Sequence, residues 1–458
     1  MKKRFLTGLL ALTLIIAPLS IAADVSGTWE NKLKFEPKND TPEDTVLLSS
    51  GLDLDITNDV NDNIFWKLNL KAEVEKLTSD EWELDDSYDF EDKFTFSSDE
   101  AYVVLSAHEA IYADAYIGKQ HVKLGSGDGI TTLGLFEPIK ANTLDDITSS
   151  APVWGTKLVW YPGDFTVTGF YQPIFTPAKV GGELANAARS IKDDTIAELL
   201  QQETVWQLLA SLGLSPENVV PGMIRYELEP LEEKDFPITG GALKVSRQLS
   251  KCDLGFVYEN GYATIPLPVN FDTMTMTLKN QYMPVQKVGA TVSGAIGDIS
   301  TWGELTYNIP KEDFFDPEFI ALLEKLDENL DDEDKDIVFT DEAYVSGLVG
   351  ADYFFKNGAY INLQLIHGLP QQVTKNMLST ALVGETYKTF AADRLKLDLT
   401  GIFDITNKGR VVSPKVEFTA TPSTKVWLKG TFFGGDEDTV YDKLKDNAQI
   451  SCGATVVF

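Results

Sequence analysis

The chain has 458 residues, with 39 basic side chains against 70 acidic ones, three histidines and a formal charge of −31. That balance excludes DNA or RNA as the partner, because phosphate binding needs a basic face; with only Cys252 and Cys452, a disulfide framework and a cysteine-based zinc site are excluded too. The length has room for two or three soluble domains, yet no Pro-Gly-Ser linker or shift in composition divides it, so one large unit is expected over 23–458.

Residues 1–22 begin with Lys2, Lys3 and Arg4, run through an apolar stretch and end on Ser20-Ile21-Ala22, the pattern of a cleaved signal peptide. Pro18 interrupts the stretch and small residues follow it, which weighs against a spanning helix. The rest holds no run of about 18 apolar residues, so no helix is expected to cross a membrane.

A two-residue period then takes over. Val25, Gly27, Trp29, Leu33 and Phe35 share one face, with Ser26, Thr28, Glu30, Lys32, Lys34 and Glu36 opposite. Leu48, Leu52, Leu54 and Ile56 repeat the pattern against Asp53 and Asp55, and Ile64, Trp66, Leu68, Leu70, Ala72 and Val74 alternate with Lys67, Asn69, Lys71, Glu73 and Glu75. One-sided apolar strands fit a soluble sheet or a barrel in lipid. The leader, the number of strands and the last segment, QISCGATVVF, decide for the barrel. In that segment Ile450, Cys452, Ala454, Val456 and Phe458 share a side, and a terminal Phe458 is the signal that outer-membrane barrels present to their assembly machinery.

Short joints are expected at 58–63, 108–110, 162–163, 250–253, 297–298, 357–358, 391–393 and 421–424, with long connections between them at 177–235, 310–341, 370–382 and 434–446. Alternating short and long connections are the habit of outer-membrane barrels. The fold class is therefore all-β: a transmembrane antiparallel up-and-down barrel of about 18 strands, or 16 if the weakest strand, 382–391, is dropped. Helical insertions are expected within 178–235, where Ile191, Ile196, Leu199, Leu200, Leu208, Leu209 and Leu212 recur at helical spacing, and within 311–340, where Asp316-Pro317 opens a stripe of Phe319, Ile320, Leu322, Leu323 and Leu326. Such stripes pack on other loops, occlude the lumen or bind a partner. Acidic runs such as 80–92, 327–336 and 436–446 read as solvated outer loops, with bound divalent ions or a cation-collecting mouth as the alternatives.

Residues 99–138 carry Glu100-Ala101-Tyr102, Gly118-Lys119-Gln120, Gly125-Ser126-Gly127-Asp128-Gly129 and Phe136-Glu137-Pro138. In this stretch and the next hairpin, 153–177, the chain resembles a family of large porin-like outer-membrane barrels of diderm bacteria, with Leu124 standing where that family often has Trp. The resemblance implies a barrel channel without naming a solute.

Read on its own, the stretch poses a register problem. Ile111, Ala113, Ala115 and Ile117 face lipid, and the same period would aim Lys119, His121 and Lys123 there too, at about 2 to 4 kcal/mol per charge near the midplane. A bulge at Gly118 would turn all three inward. The glycines beyond permit tight backbone, so the segment is either a compact surface loop or a constriction folded inside the wall.

Catalysis has little support. His108, His121 and His367 share no metal-ligand spacing, no G-x-S-x-G elbow is present, and His121 near Ser126 is the one pair worth checking. No metal, cofactor or enzyme activity is expected. Tyr102, Tyr112, Trp427 and Phe433 are expected in interfacial girdles ahead of a sugar-stacking role. The leading expectation is an outer-membrane porin passing small hydrophilic solutes, lined by Lys67, Lys71, Glu73, Lys119, His121, Lys123, Asp128, Lys244, Arg394, Lys396, Asp398, Lys415, Glu417 and Lys429, with opposite charges facing each other across the pore. Expected partners are lipid and lipopolysaccharide, the assembly machinery, and a second copy of the chain in a homo-oligomer. The other reading is a loop-plugged barrel used as a surface adhesin, a binding module or a structural protein.

Overall fold

The computed structural model describes residues 23–36, 45–78, 94–109, 111–141, 149–180, 225–229, 231, 240–272, 274–329, 338–370, 372–436, 439–445 and 448–458. The expected leader at 1–22 and the helical stretch from Ile191 to Leu212 lie outside these residues.

The first strands are β1 (Asp24–Glu36), β2 (Thr45–Asn61), β3 (Ile64–Thr78), β4 (Phe94–Ser97), β5 (Ala101–Ser106) and β6 (Ala113–Gln120). After the short β7 (Lys140–Ala141) come β8 (Val153–Trp160), β9 (Phe165–Gln172), the short β10 (Lys179–Val180) and β11 (Arg225–Leu228), then β12 (Gly240–Gln248) and β13 (Cys252–Tyr262). An outer hairpin, β14 (Leu267–Asp272) and β15 (Thr277–Gln281), precedes β16 (Pro284–Ile296) and β17 (Ile299–Pro310). Helix α1 (Pro317–Asn329) leads to β18 (Tyr344–Phe354), β19 (Ala359–His367), β20 (Thr380–Phe390), β21 (Leu395–Asp404), β22 (Gly409–Thr421) and β23 (Thr424–Gly435). The last elements are α2 (Val440–Lys443) and β24 (Gln449–Val457).

These make a closed antiparallel barrel of 18 staves. The main sheet counts 19 strands because β4 and β5 lie end to end along β3. Closure comes from β24 pairing with β1, from Thr28↔Val457 to Phe35↔Ile450. Beyond that ladder Gly27 N donates to Phe458 O at 2.9 Å and Phe458 N to Gly27 O at 3.0 Å. A wall without edges leaves no backbone N–H or C=O unpaired toward an apolar surround.

The eight expected short joints mark junctions of consecutive strands, although β2 runs on to Asn61, β13 begins at Cys252 and β22 and β23 take in Thr421 and Thr424; the weakest expected strand is present as β20, running from Thr380 where 382 was expected. The outer connections hold two features the period did not announce: the β14–β15 hairpin, joined by β11, and the turn of α2. Helix α1 begins where expected because the Asp316 carboxylate caps it, accepting from Glu318 N at 2.8 Å and Asn270 Nδ2 at 2.6 Å. Its Ile320 packs against the apolar cluster that contains Leu267 and Val269 of β14, and Phe319 beside it is buried.

Parity separates the two faces of the wall. Along β17, Leu305 is 61% exposed and Tyr307 48%, while Glu304 is 6%, Thr306 0% and Asn308 1% exposed. The apolar residues lie outside and the polar ones inside, the reverse of a soluble sandwich. Cys252 and Cys452 both belong to the outward parity.

Candidate functional site

The lumen is built around the segment between β6 and β8. Gly118 makes this possible by a different device from the expected bulge. Both ladders run through it in unbroken register, Tyr102↔Gly118 and Gly118↔Gly155, but its φ is +134° and a Cβ would collide with Ala101 O. Only glycine tolerates that conformation and that approach together. The twist sends Lys119 inward, where its ammonium donates to Ser98 O, and Gln120 Nε2 bonds back to Tyr116 O at 3.2 Å and Gly155 O at 3.3 Å. From His121 the chain leaves the wall and crosses the inside of the barrel. The constriction is thus the alternative that the geometry takes, and the surface loop is not.

Glu304 on β17 holds the loop. Its carboxylate accepts from Ser126 N, from Gly127 N at 2.7 Å, from Thr132 N at 2.9 Å and from the hydroxyls of Thr131 and Thr132 at 2.8–2.9 Å. A buried carboxylate is costly unless its lone pairs are met, and each charge-assisted bond contributes about 1.5 to 3 kcal/mol. The Gly-Ser-Gly run explains itself at this point. A Cβ at Gly125 would strike Thr131 Oγ1 and Glu304 Oε1, and one at Gly127 would strike Ile130 O.

Further wall residues complete the attachment. Lys287 Nζ donates to Thr132 O at 2.8 Å and Lys244 Nζ to Leu124 O at 2.6 Å. Gln364 bridges loop and wall: its Nε2 donates to Ile130 O at 3.0 Å, while its Oε1 accepts from Asp128 N at 3.1 Å and Trp302 Nε1 at 2.7 Å. Asn362 Nδ2 donates to Asp128 Oδ2 at 2.6 Å. Leu124, Leu133, Leu135 and Phe136 join an apolar cluster with Phe170, Val257, Met283 and Phe315, which ties the loop to the outer connections. Glu137, half-buried in the loop near Glu259 and Glu304, has its carboxyl pushed up to about 8 by burial first and by those two carboxylates next.

Sequence reasoning missed Glu304, Gln364, Asn362, Lys287 and Trp302. Parity alone puts Glu304 on the inner row of β17 beside Trp302 and Thr306; nothing local says that a loop nearly 180 residues away encloses it.

The residues expected to line the pore divide into three groups. Lys67, Lys71, Glu73, Lys244, Lys396, Asp398, Lys415, Glu417 and Lys429 sit on the inward parity of their strands. Lys119, His121, Lys123 and Asp128 belong to the loop or its approach, and Asp128 stands at the tip. Arg394 is a correction: it lies in a short turn, donates to Thr419 O and Ala420 O at 3.2 Å each and covers the outward Phe418 ring, so it belongs to the rim. His121 meets Ser150 Oγ at 3.4 Å, whereas Ser126 Oγ donates to Gly303 O at 3.0 Å, so the expected His–Ser pair is not assembled.

The charge pattern has a feature that the sequence reading did not include. Acids and bases pair with neighbours along the same wall. Lys67 Nζ is 2.6 Å from Glu100, Lys71 is 3.1 Å from Asp53 and 2.6 Å from Asp99, Lys396 is 2.6 Å from Asp398, and Lys415 is 3.3 Å from Glu417. Trp427 is not in a girdle. It faces inward, 8% exposed, with Nε1 donating to Glu30 at 3.1 Å and the Lys415 ammonium 5.7 Å from its ring. Tyr102 likewise points inward, 6.0 Å from the Tyr116 ring.

Two cavities flank the loop. One, of about 280 Å³, separates Asp128 and Gly129 from Glu385, Thr400, Ser413 and Lys429 on the facing wall. The other, of about 450 Å³, lies toward the short-turn end beneath Lys123 and Ser126. A polar passage interrupted by a docked loop sorts solutes by size and charge and needs no reactive group.

No family model matches the chain, and no curated protein matches it. Among solved structures it is similar to mutants of the Rhodopseudomonas blastica porin, such as a double mutant at 9% identity and a TM-score of 0.39, covering 95% of this chain and 100% of that one. The Vibrio cholerae outer membrane protein OmpT in its trimer form is similar at 14% identity and a TM-score of 0.38, over 95% of this chain and 99% of that one. Scores this low carry no argument, so what is stated of the chain rests on its own closed wall, apolar exterior and loop-crossed polar interior.

Proposed function

We propose that this chain is an outer-membrane channel of a diderm bacterium that lets small hydrophilic solutes diffuse through a lumen narrowed by residues 121–138. The observation that carries the reading is the loop docked on Glu304, with polar cavities on both sides of it. A pure surface module has no use for a polar inner wall that admits water to either face of such a loop. Outside, the apolar strands meet lipid and lipopolysaccharide. The assembly machinery reads β24 up to Phe458, and the pore lining is the inward set named above without Arg394.

Planar-bilayer recording of the refolded protein tests this. Stepwise conductance is expected, and Glu304→Ala, which removes the loop's anchor, is expected to raise the unitary step about twofold as the passage widens. Silence from both proteins overturns the channel.

The apolar cluster that joins loop, hairpin and α1 favours a second reading, a barrel plugged on its outer side and used for binding. Liposome swelling separates the two: entry of small sugars with a size cut-off supports the channel, and no entry supports the plug.

A further inference from the structure

Among the described residues, several lumenal lysines stand against a carboxylate: Lys67, Lys71, Lys140, Lys396 and Lys415 all do. Lys123 and Lys244 do not. Lys244 Nζ reaches only the Leu124 carbonyl, and Lys123 makes no hydrogen bond or ion pair. Glu304, a carboxylate whose field Lys244 feels, already accepts from the loop's amides and hydroxyls. Glu137, whose field both lysines share, is held toward its neutral form.

These two ammonium groups line the cavity of about 450 Å³, enclosed by the first arm of the loop and the short-turn ends of β9, β12, β13 and β16. Ser126, Thr166, Thr291 and Ser293 supply hydroxyls around them, and Asp253, next to a short turn, is the lining's one carboxylate. Arg247, also in the lining, has a carboxylate of its own in Asp164 at 3.5 Å and lies over the Phe165 ring.

Hydroxyl donors around two uncompensated positive charges suit a tetrahedral oxyanion, whose several oxygens accept from both kinds of group. A neutral sugar leaves the charges without a counterpart, and a small cation is repelled. We propose that this cavity is an anion-binding subsite that takes the phosphate or sulfate group of a small solute, so that the channel prefers anions although the chain carries −31 overall. Charges more than about 10 Å away are screened by salt, whereas the two lysines line the cavity itself. The proposal rests on the channel reading above and adds its solute class.

The test uses the full chain refolded into planar bilayers under a KCl gradient. A reversal potential of the sign for chloride permeation is expected, along with saturable inhibition of that current by inorganic phosphate and by sulfate. Lys123→Gln, which breaks no hydrogen bond or ion pair, and Lys244→Gln are each expected to raise the half-inhibiting phosphate concentration about fivefold or more. Heat-modifiable gel migration confirms that both variants are folded barrels. A cation-type reversal potential, or inhibition unchanged in Lys123→Gln, overturns the subsite and leaves the channel standing; absence of any conductance overturns both.

Discussion

Gly118 and Glu304 show how single residues decide where a chain can go. Gly118 combines a φ of +134° with a backbone contact that no Cβ survives. Gly118→Ala is expected to destabilise the barrel by at least about 2 kcal/mol, read as a lower urea midpoint in lipid vesicles. Gly51→Ala, where a Cβ meets nothing within 4 Å, is expected to stay within about 1 kcal/mol. The sequence located the first position correctly, because the period there would otherwise drive three cations into lipid. It misjudged the device: a bulge costs a residue of register, and this turn costs none. Glu304 was illegible for the opposite reason. Its row was plain, but its partners are loop amides whose approach is tertiary, and amides carry no side-chain signature.

At the scale of elements, the loop depends on a balance of buried charges. Glu137 is one member whose protonation falls in an accessible range. Its docked carboxyl is raised to about 8, so docking retains more protons than the free loop between the ordinary carboxyl range and that value. Docking is therefore strongest at low pH, weakens as pH climbs toward about 8, and levels off above it. Open-channel noise is expected to grow over that window and to flatten in Glu137→Gln; identical pH profiles for both proteins would count against this assignment. The strands themselves were legible through their two-residue period and the Gly, Asn and Asp residues of their short joints. The β14–β15 hairpin was not, since Pro268 and short apolar runs disguise it as loop.

On the scale of the whole molecule, the decisive fact is the inversion of polarity across the wall. Leu305 sits at the outward midpoint of β17 and Thr306 beside it faces a filled interior. Leu305→Arg is expected to cost about 2 to 4 kcal/mol in a bilayer, measured as a shift in the urea folding equilibrium, and much less in detergent micelles that deform around the charge. Closure and strand number were legible because every strand had to supply an apolar face and both end strands show one. The distribution of charge was not. Composition reports a sum, and the sum of −31 conceals neutralised pairs on the wall beside ammonium groups, Lys123 and Lys244 among them, that form no ion pair.

The two free thiols inherit their surroundings from that same inversion. Cys452, exposed in the middle of the seam strand on the outward parity, would be bathed in acyl chains, and Cys252 lies on the same side at a short turn. The unmodified chain therefore carries its own depth gauge. Because a maleimide adds to the thiolate, even a membrane-permeant one should spare Cys452 in proteoliposomes and label it once the barrel is unfolded in denaturant.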